Sequence, residues 1–132
     1  MSRITFKNLP DTSTPLNASN MNSIQNDLVK VIDFTIAAGG TKNITFPDSR
    51  TIAIFSSKMN LGNTTECWII GMYGSGGTSR TDITKISQGS SARAIAYSIN
   101  NRVITLTNPI SDASAICSLV VLIGDYTSIT VS

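Results

Sequence analysis

The chain has 132 residues, of which 41% are hydrophobic and 14% charged, and its net charge is +2. This length fits a single domain with its own hydrophobic core. The ten basic residues are scattered singly, whereas a nucleic-acid interface needs them clustered, so we expect no nucleic-acid partner. No apolar stretch reaches the roughly 18 residues of a membrane span, and the N-terminus lacks a signal peptide's apolar core. We therefore expect a protein that is made in a cytoplasm and leaves it, if at all, by a route other than signal-peptide secretion.

Serine, threonine and asparagine together make up about a third of the chain. Isoleucine is abundant, and such an uncharged polar, β-branched composition is typical of β-structure. Folded surfaces normally carry more charge than this one can. Either hydroxyl and amide groups replace charges on the outside, or copies of the protein cover much of the surface.

Residues 1–16 predict an extended arm. Pro10 and Pro15 each push the preceding residue toward extended geometry, and the polar residues 11–13 between them favour turns. Regular structure is therefore not expected before residue 17.

Residues 17–32 predict an amphipathic helix. Asn17 is a preferred N-cap residue, because its side-chain oxygen accepts hydrogen bonds from the first turn. Apolar residues then follow at spacings of three, four and three, forming one stripe: Met21, Ile24, Leu28 and Val31. A helix of about four turns is not stable alone in water. It either packs on its own domain or joins copies of the chain, and we favour the second interpretation.

From residue 33 onward the apolar period changes to two. A Gly-Gly turn at 39–40, a glycine-serine loop at 75–81 and a tight asparagine turn at 100–101 separate apolar, alternating stretches. About eight strands at regular spacing predict an antiparallel β-sandwich or jelly roll over residues 33–132. The stretches at 66–74 and 115–124 are apolar on both faces, which favours an oligomer, since water-facing strands should carry one polar face.

Catalytic and metal-binding chemistry is scarce in the sequence. The chain has no histidine, and its eight carboxylates are spread singly, without a pair that spacing would force onto one face. Cys67 and Cys117 lie within apolar runs and are most simply free, buried thiols, with a disulfide the minority interpretation. We therefore expect neither enzymatic activity nor a cofactor or metal.

Aromatic and polar residues in loops are the best candidates for ligand contact. Trp68 and Tyr97 lie inside predicted strands and are better read as core or interface residues. Four residues are better placed to contact a saccharide, next to the glycine loop or between two strands: Tyr73, Arg80, Asp82 and Tyr126.

The segment FKNLPDTSTPLNASNMNSIQNDLV, residues 6–29, resembles the N-terminal segment of bacteriophage tail-fibre, baseplate and other appendage proteins. The resemblance implies a homotrimer, in which residues 17–32 are the trimerisation helix and the arm attaches to another virion protein. It also implies assembly in the host cytoplasm and an exposed β-domain that binds a cell-surface glycan.

Three functions compete on this basis. The first is a non-enzymatic virion appendage that binds the host surface, and the second is a purely structural part such as a head fibre, capsid decoration or baseplate joint. A glycan depolymerase is the third, and it would need a carboxylate pair beside a groove.

The substitution Leu28→Asp tests the proposed helix, because it places a charge in the middle of the apolar stripe. We expect it to weaken the trimer, measured by light scattering, while leaving the strand content seen by circular dichroism largely intact. Unchanged assembly would mean that the helix packs within its own domain.

Overall fold

The computed structural model describes residues 30–59, 65–75, 78–87 and 93–132. The chain divides into two units, Met1–Lys30 and Val31–Ser132, and the description below concerns the second. Its described residues form β1 (Val31–Ile36), β2 (Thr41–Thr45), β3 (Thr51–Met59), β4 (Thr65–Ser75), β5 (Thr78–Ser87), β6 (Ala96–Asn100), β7 (Val103–Thr107), β8 (Ala115–Ile123) and β9 (Thr130–Val131), with one 3₁₀ turn at Tyr126–Ser128. No helix among them is long and apolar enough to cross a membrane.

The strands form two antiparallel sheets. The five-stranded sheet has the order β1-β8-β3-β4-β5, and the four-stranded sheet has the order β6-β7-β2-β9. Every pairing is antiparallel. The prediction of a mainly β protein with two antiparallel sheets is confirmed, whereas the jelly-roll topology stays a prediction.

The core lies between the inner faces of the two sheets. In β3, residues 51, 53, 55, 57 and 59 are buried, and the residues between them face outward. This period of two places Phe55 and Ala53 against the inner residues of the second sheet, such as Ile104 and Leu106, in a single cluster. At about 25 cal/mol per Å² of apolar surface removed from water, this core is the main stabilising term.

The C-terminal end of the predicted helix is wrong. Val31 and Ile32 are the first residues of β1, where they pair with Val120 and Leu119 of β8. The alternation of Ile32 and Phe34 toward the core decides the conformation, since pairing along β8 outweighs a helical spacing in the sequence. The remaining residues of the predicted stripe, like the arm at 1–16, lie outside the described residues.

One other segment differs from the sequence-based expectation. The loop predicted at 75–81 is mostly strand, because β4 and β5 pair up to Ser75 and Thr78. Residues 126–128 form a 3₁₀ turn between β8 and β9. Asp125 favours that turn, since its carboxylate accepts hydrogen bonds from the Thr127 amide and hydroxyl.

Two of the predicted turns are present, but one joins neighbouring strands of a sheet and the other joins strands of different sheets. The tight turn predicted at the asparagine pair is confirmed: Asn100 pairs with Val103, and Asn101 adopts a φ of 53°. The Gly-Gly turn is also present, with Gly39 at a φ of 63°, but the strands on either side of it belong to different sheets. It is a crossing between sheets, not a hairpin.

The buried residue Asn108 joins two connections that run from one sheet to the other, β1–β2 and β7–β8. The Asn108 amide nitrogen donates to the carbonyls of Ala37 at 3.1 Å and Ala113 at 2.8 Å, and its side-chain oxygen accepts from the Ile110 amide at 3.0 Å. The Asn108 backbone amide also donates to the Gly40 carbonyl at 3.0 Å. The β1–β2 and β7–β8 connections are thereby joined to each other at one end of the domain.

We expect Asn108→Ala to lower the free energy of unfolding by about 2–4 kcal/mol, because it removes the side-chain partner of the buried Ala113 carbonyl and of the partly buried Ala37 carbonyl and Ile110 amide. Urea denaturation followed by circular dichroism measures the change. Asn43→Ala is the control, since Asn43 is exposed and accepts a single side-chain hydrogen bond, from Thr105. Its effect should stay within about 0.5 kcal/mol, and equal losses in the two variants would contradict the assignment.

Candidate functional site

Three of the four predicted ligand-contact residues lie together on the outer face of the five-stranded sheet. Tyr73 of β4 pairs in register with Arg80 of β5, and Asp82 follows two residues later on the same face. Tyr73 is 63% exposed. We call these three residues the β4–β5 corner, since they lie near the connection between the two strands.

An ion pair sets the polar side of the corner. The Arg80 Nε donates to the Asp82 Oδ1 at 3.0 Å, and the two side chains are 78% and 66% exposed. So exposed a pair adds little stability. Among the described residues, this ion pair uses only the Nε of Arg80 and the Oδ1 of Asp82. The terminal nitrogens of Arg80 can still donate to a ligand, and Oδ2 of Asp82 can still accept from one.

The buried residue between these two charges holds the strand in place. Thr81 is 8% exposed, and its hydroxyl donates to the Asn101 carbonyl at 2.7 Å. This bond ties β5 of one sheet to the β6–β7 turn of the other. Because side chains alternate along a strand, burial of Thr81 directs Arg80 and Asp82 to the outside.

Tyr126 is not part of this corner. It begins the 3₁₀ turn that follows β8, and its half-buried side chain packs against the core. In the sheet, β3 separates β8 from β4. Next to it, hydrogen bonds from the Ser128 and Thr127 hydroxyls lower the pKa of Asp125, so this carboxylate serves the turn.

A second group of residues surrounds Trp68 at the side of the domain. Trp68 is fully buried, with ring centroids 4.6 Å from Phe55 and 5.2 Å from Tyr97. The Lys85 Nζ lies 4.9 Å from the Trp68 centroid and 5.4 Å from that of Tyr97, within the range of cation–π attraction. Trp68 is thus a core residue, as expected, while Tyr97 remains 38% exposed on edge strand β6.

Sequence reasoning missed Lys85. The available signal was its position within DITKIS, where it alternates with exposed residues and therefore falls on the inner side of the strand. Since β5 is the edge of its sheet, an inward-pointing lysine also discourages pairing with other chains. The Trp68 group is therefore explained by packing and edge protection.

Glu66 of β4 is buried on the inner face of the five-stranded sheet. It is 2% exposed, and its Oε2 accepts from the Ser57 hydroxyl at 3.2 Å and the Ile95 amide at 2.9 Å. Burial, and secondarily the charge of Glu66, raises the pKa of the Cys117 thiol to about 12. Glu66 anchors the chain entering β6, and it is too deeply buried to meet a polymeric substrate.

The two cysteines are free and lie on opposite faces of the five-stranded sheet. Cys117 is buried and Cys67 is half-buried on the outer side. Opposite orientations prevent a disulfide within the chain. Among the described residues, no group of three histidine, cysteine, aspartate or glutamate side chains could hold a metal ion.

The outer face of the five-stranded sheet is unusually apolar. Seven of the nine exposed large hydrophobic side chains among the described residues belong to its strands: Val31, Ile69, Tyr73, Ile86, Ile116, Leu122 and Ile123. Strand pairing also aligns Val31, Val120, Ile54 and Ile69 in one row across four strands. Contiguous apolar surface of this kind marks an interaction face more often than a solvent face.

Comparison with known proteins yields structural similarity alone. No protein-family model matches the chain, and no curated protein sequence is significantly similar to it. Its fold resembles part of the tailspike protein gp49 of Acinetobacter baumannii bacteriophage Fri1, a capsular polysaccharide depolymerase, with a TM-score of 0.55 and 12% identity over 77% of this chain. The tailspike protein of Acinetobacter phage vB_ApiP_P1 is also similar, with a TM-score of 0.47 and 12% identity over all of it.

Both tailspikes are much longer than this chain. The similar region covers 18% of the first tailspike and 26% of the second. At this identity the first similarity demonstrates a shared fold, and the second, with a TM-score below 0.5, adds nothing to the argument.

We expect Cys117 to resist modification in the folded protein, because a thiol with a pKa of about 12 stays protonated near neutral pH. In Cys67→Ser protein at about pH 8, a small thiol reagent detected by mass spectrometry should react only after unfolding. The unfolded chain ionises this thiol above its ordinary pKa of 9.0, so the free energy of unfolding should fall as the pH rises from 9 toward 12. Cys117→Ala should lose that dependence, and equally fast labelling of folded and unfolded protein would contradict the assignment.

Proposed function

We propose that the chain is part of a bacteriophage tail appendage that binds a host-surface saccharide through its β-domain. The observation that carries this proposal is the β4–β5 corner, where an exposed tyrosine lies in register with an arginine–aspartate pair. The fold shared with a phage tailspike supports the class of protein. The resemblance of residues 6–29 to the N-terminal segment of phage appendage proteins supports it independently.

The chemistry of the corner suits a sugar ring. Sugars combine C–H groups, which pack on an aromatic face, with hydroxyls that both donate and accept. Tyr73 offers the ring, Arg80 offers donors and Asp82 offers an acceptor. Charge-assisted hydrogen bonds of this kind contribute about 1.5–3 kcal/mol each, so a single corner would bind weakly.

A homotrimer would raise that weak affinity by presenting three corners at once. Linked sites can increase overall binding by roughly 10²–10⁴-fold without any new contact. We propose the trimer because the row of Val31, Val120, Ile54 and Ile69 offers an apolar face for another copy, and because Met21, Ile24 and Leu28 remain predicted helix contacts. Residues 1–16 would then attach to another virion protein after assembly in the host cytoplasm.

We propose further that binding does not cleave the saccharide. Three of the six described carboxylates have structural roles: Glu66 is buried, Asp33 accepts from Ser118 and Asp125 caps a turn. Asp82 is the one carboxylate of the β4–β5 corner, so the corner does not supply the pair of carboxylates that glycoside hydrolysis needs. The depolymerase gp49 shares only 18% of its own length with this chain. Incubating the protein with host polysaccharide and assaying new reducing ends tests the proposal, which release of fragments would overturn.

A purely structural virion component is the second candidate, and the apolar outer face favours it. A head fibre, capsid decoration or baseplate joint would use that face against another virion protein. Such a component would bind the partner tightly and would not bind cells. Imaging a labelled chain in intact particles distinguishes a tail position from a head position.

We expect Tyr73→Ala to reduce binding to host envelopes about tenfold, which corresponds to about 1.4 kcal/mol of lost ring packing. Tyr73→Phe should retain most of the binding, since it keeps the ring. Whole-cell adsorption and a glycan array measure both variants against the unaltered protein. If the unaltered protein bound no host envelope, receptor recognition would be rejected in favour of the structural role.

A further inference from the structure

Gly71 is a glycine that the fold does not require. It lies in the middle of β4, where glycine is less stable than a residue with a side chain. Its φ is not in the left-handed region, and its pairs with Ile52 and Asp82 contain no bulge. A Cβ added there would meet nothing within 4 Å.

Other glycines of the described residues have a reason in the backbone. A Cβ at Gly74 would lie 3.1 Å from the Asp48 carbonyl carbon, and Gly124 has a φ of 119°. Gly71 has neither constraint. A glycine inside a strand without such a reason often marks a close approach by a ligand or another chain.

The missing side chain leaves open space on the outer face of the sheet, which we call the recess. Ile70 and Met72 are buried, so position 71 faces outward. Four side-chain positions surround it: Ile69 and Tyr73 along β4, Ile52 on β3 and Asp82 on β5. The surrounding Cα atoms are about 13 Å apart along the strand and about 10 Å apart across it.

The walls of the recess differ in chemistry. Ile52, Ile69 and Tyr73 supply apolar and aromatic surface on three sides, and Asp82 with its partner Arg80 supplies polar groups on the fourth. The two charges neutralise each other at 3.0 Å, so the polar wall favours neither an acidic nor a basic ligand. It can instead accept from one hydroxyl and donate to its neighbour.

We propose that the recess over Gly71 binds one neutral pyranose ring of the saccharide, with Tyr73 and the two isoleucines against its C–H groups. This inference rests on the proposed saccharide-binding function and deepens it. Asp82 Oδ2 would accept from one ring hydroxyl while the Arg80 terminal nitrogens donate to an adjacent one. A side chain from another copy, inserted into the same recess, is the competing occupant.

Gly71→Val tests the inference, because the added side chain occupies the recess and its Cβ meets no atom within 4 Å. We expect an unchanged or higher midpoint of urea unfolding, since valine is favoured in strands. On an array of neutral-hexose and uronic-acid oligosaccharides, the unaltered protein should bind neutral members, and Gly71→Val should bind them at least about tenfold more weakly. Gly71→Ala should give a smaller loss.

Ser56→Val is the matched control. Ser56 lies on the same outer face of β3, opposite Cys67, and outside the ring of four residues around Gly71. The variant places the same valine side chain elsewhere on this face and should leave binding within about twofold of the unaltered protein. Binding to neutral sugars should also change little with added salt, because screening acts on exposed charges.

The outcomes separate this inference from the function on which it rests. If the unaltered protein bound no oligosaccharide, both would fall. Saccharide binding by Gly71→Val at full strength would overturn the recess and leave the proposed function standing. Binding confined to uronic-acid members would overturn the neutral ligand. Dissociation of the oligomer in Gly71→Val, seen by light scattering, would show that another copy fills the recess.

Discussion

The amide of Asn108 is the constraint on which the two-sheet arrangement depends. It binds backbone groups of both chain crossings at one end of the domain, through one buried and two partly buried hydrogen bonds. Without it, the buried Ala113 carbonyl would lose this partner, and a loss of that kind costs about 1–3 kcal/mol. The hydrophobic core supplies more stabilisation in total, but apolar contact is not directional. The hydrogen bonds of Asn108 are directional, and they hold the β1–β2 and β7–β8 connections against each other.

The proposed site depends on strand register. Tyr73, Arg80 and Asp82 share one face because β4 and β5 pair in constant register from the Gly71–Asp82 pair to the Ser75–Thr78 pair. A slip of β5 by one residue would move the Arg80 and Asp82 side chains toward the core and away from Tyr73. The Thr81 hydroxyl opposes such a slip through its bond to the Asn101 carbonyl in the other sheet.

The outer faces of the two sheets explain the unusual composition. On the four-stranded sheet, pairing sets Thr105 opposite Asn43, and the Thr105 hydroxyl donates to the Asn43 side chain at 2.8 Å. There hydroxyls and amides replace charges. The five-stranded sheet instead exposes isoleucine, leucine and valine, the side chains that favour contact with another surface. The sparse charge therefore has a different counterpart on each face: hydroxyls and amides on the four-stranded sheet, and apolar side chains on the five-stranded sheet.

The sequence by itself determined the local features, because alternation and turn chemistry act over a few residues. It predicted the antiparallel strands, the turn at Asn101 and the ligand-contact candidates of the β4–β5 corner. Tertiary structure decided whatever depends on distant strands: that Val31 joins β8, that a Gly-Gly turn changes sheets, and that Lys85 lies over Trp68. It also placed Gly71 beside Asp82, since cross-strand neighbours follow from register, which no single stretch of sequence encodes.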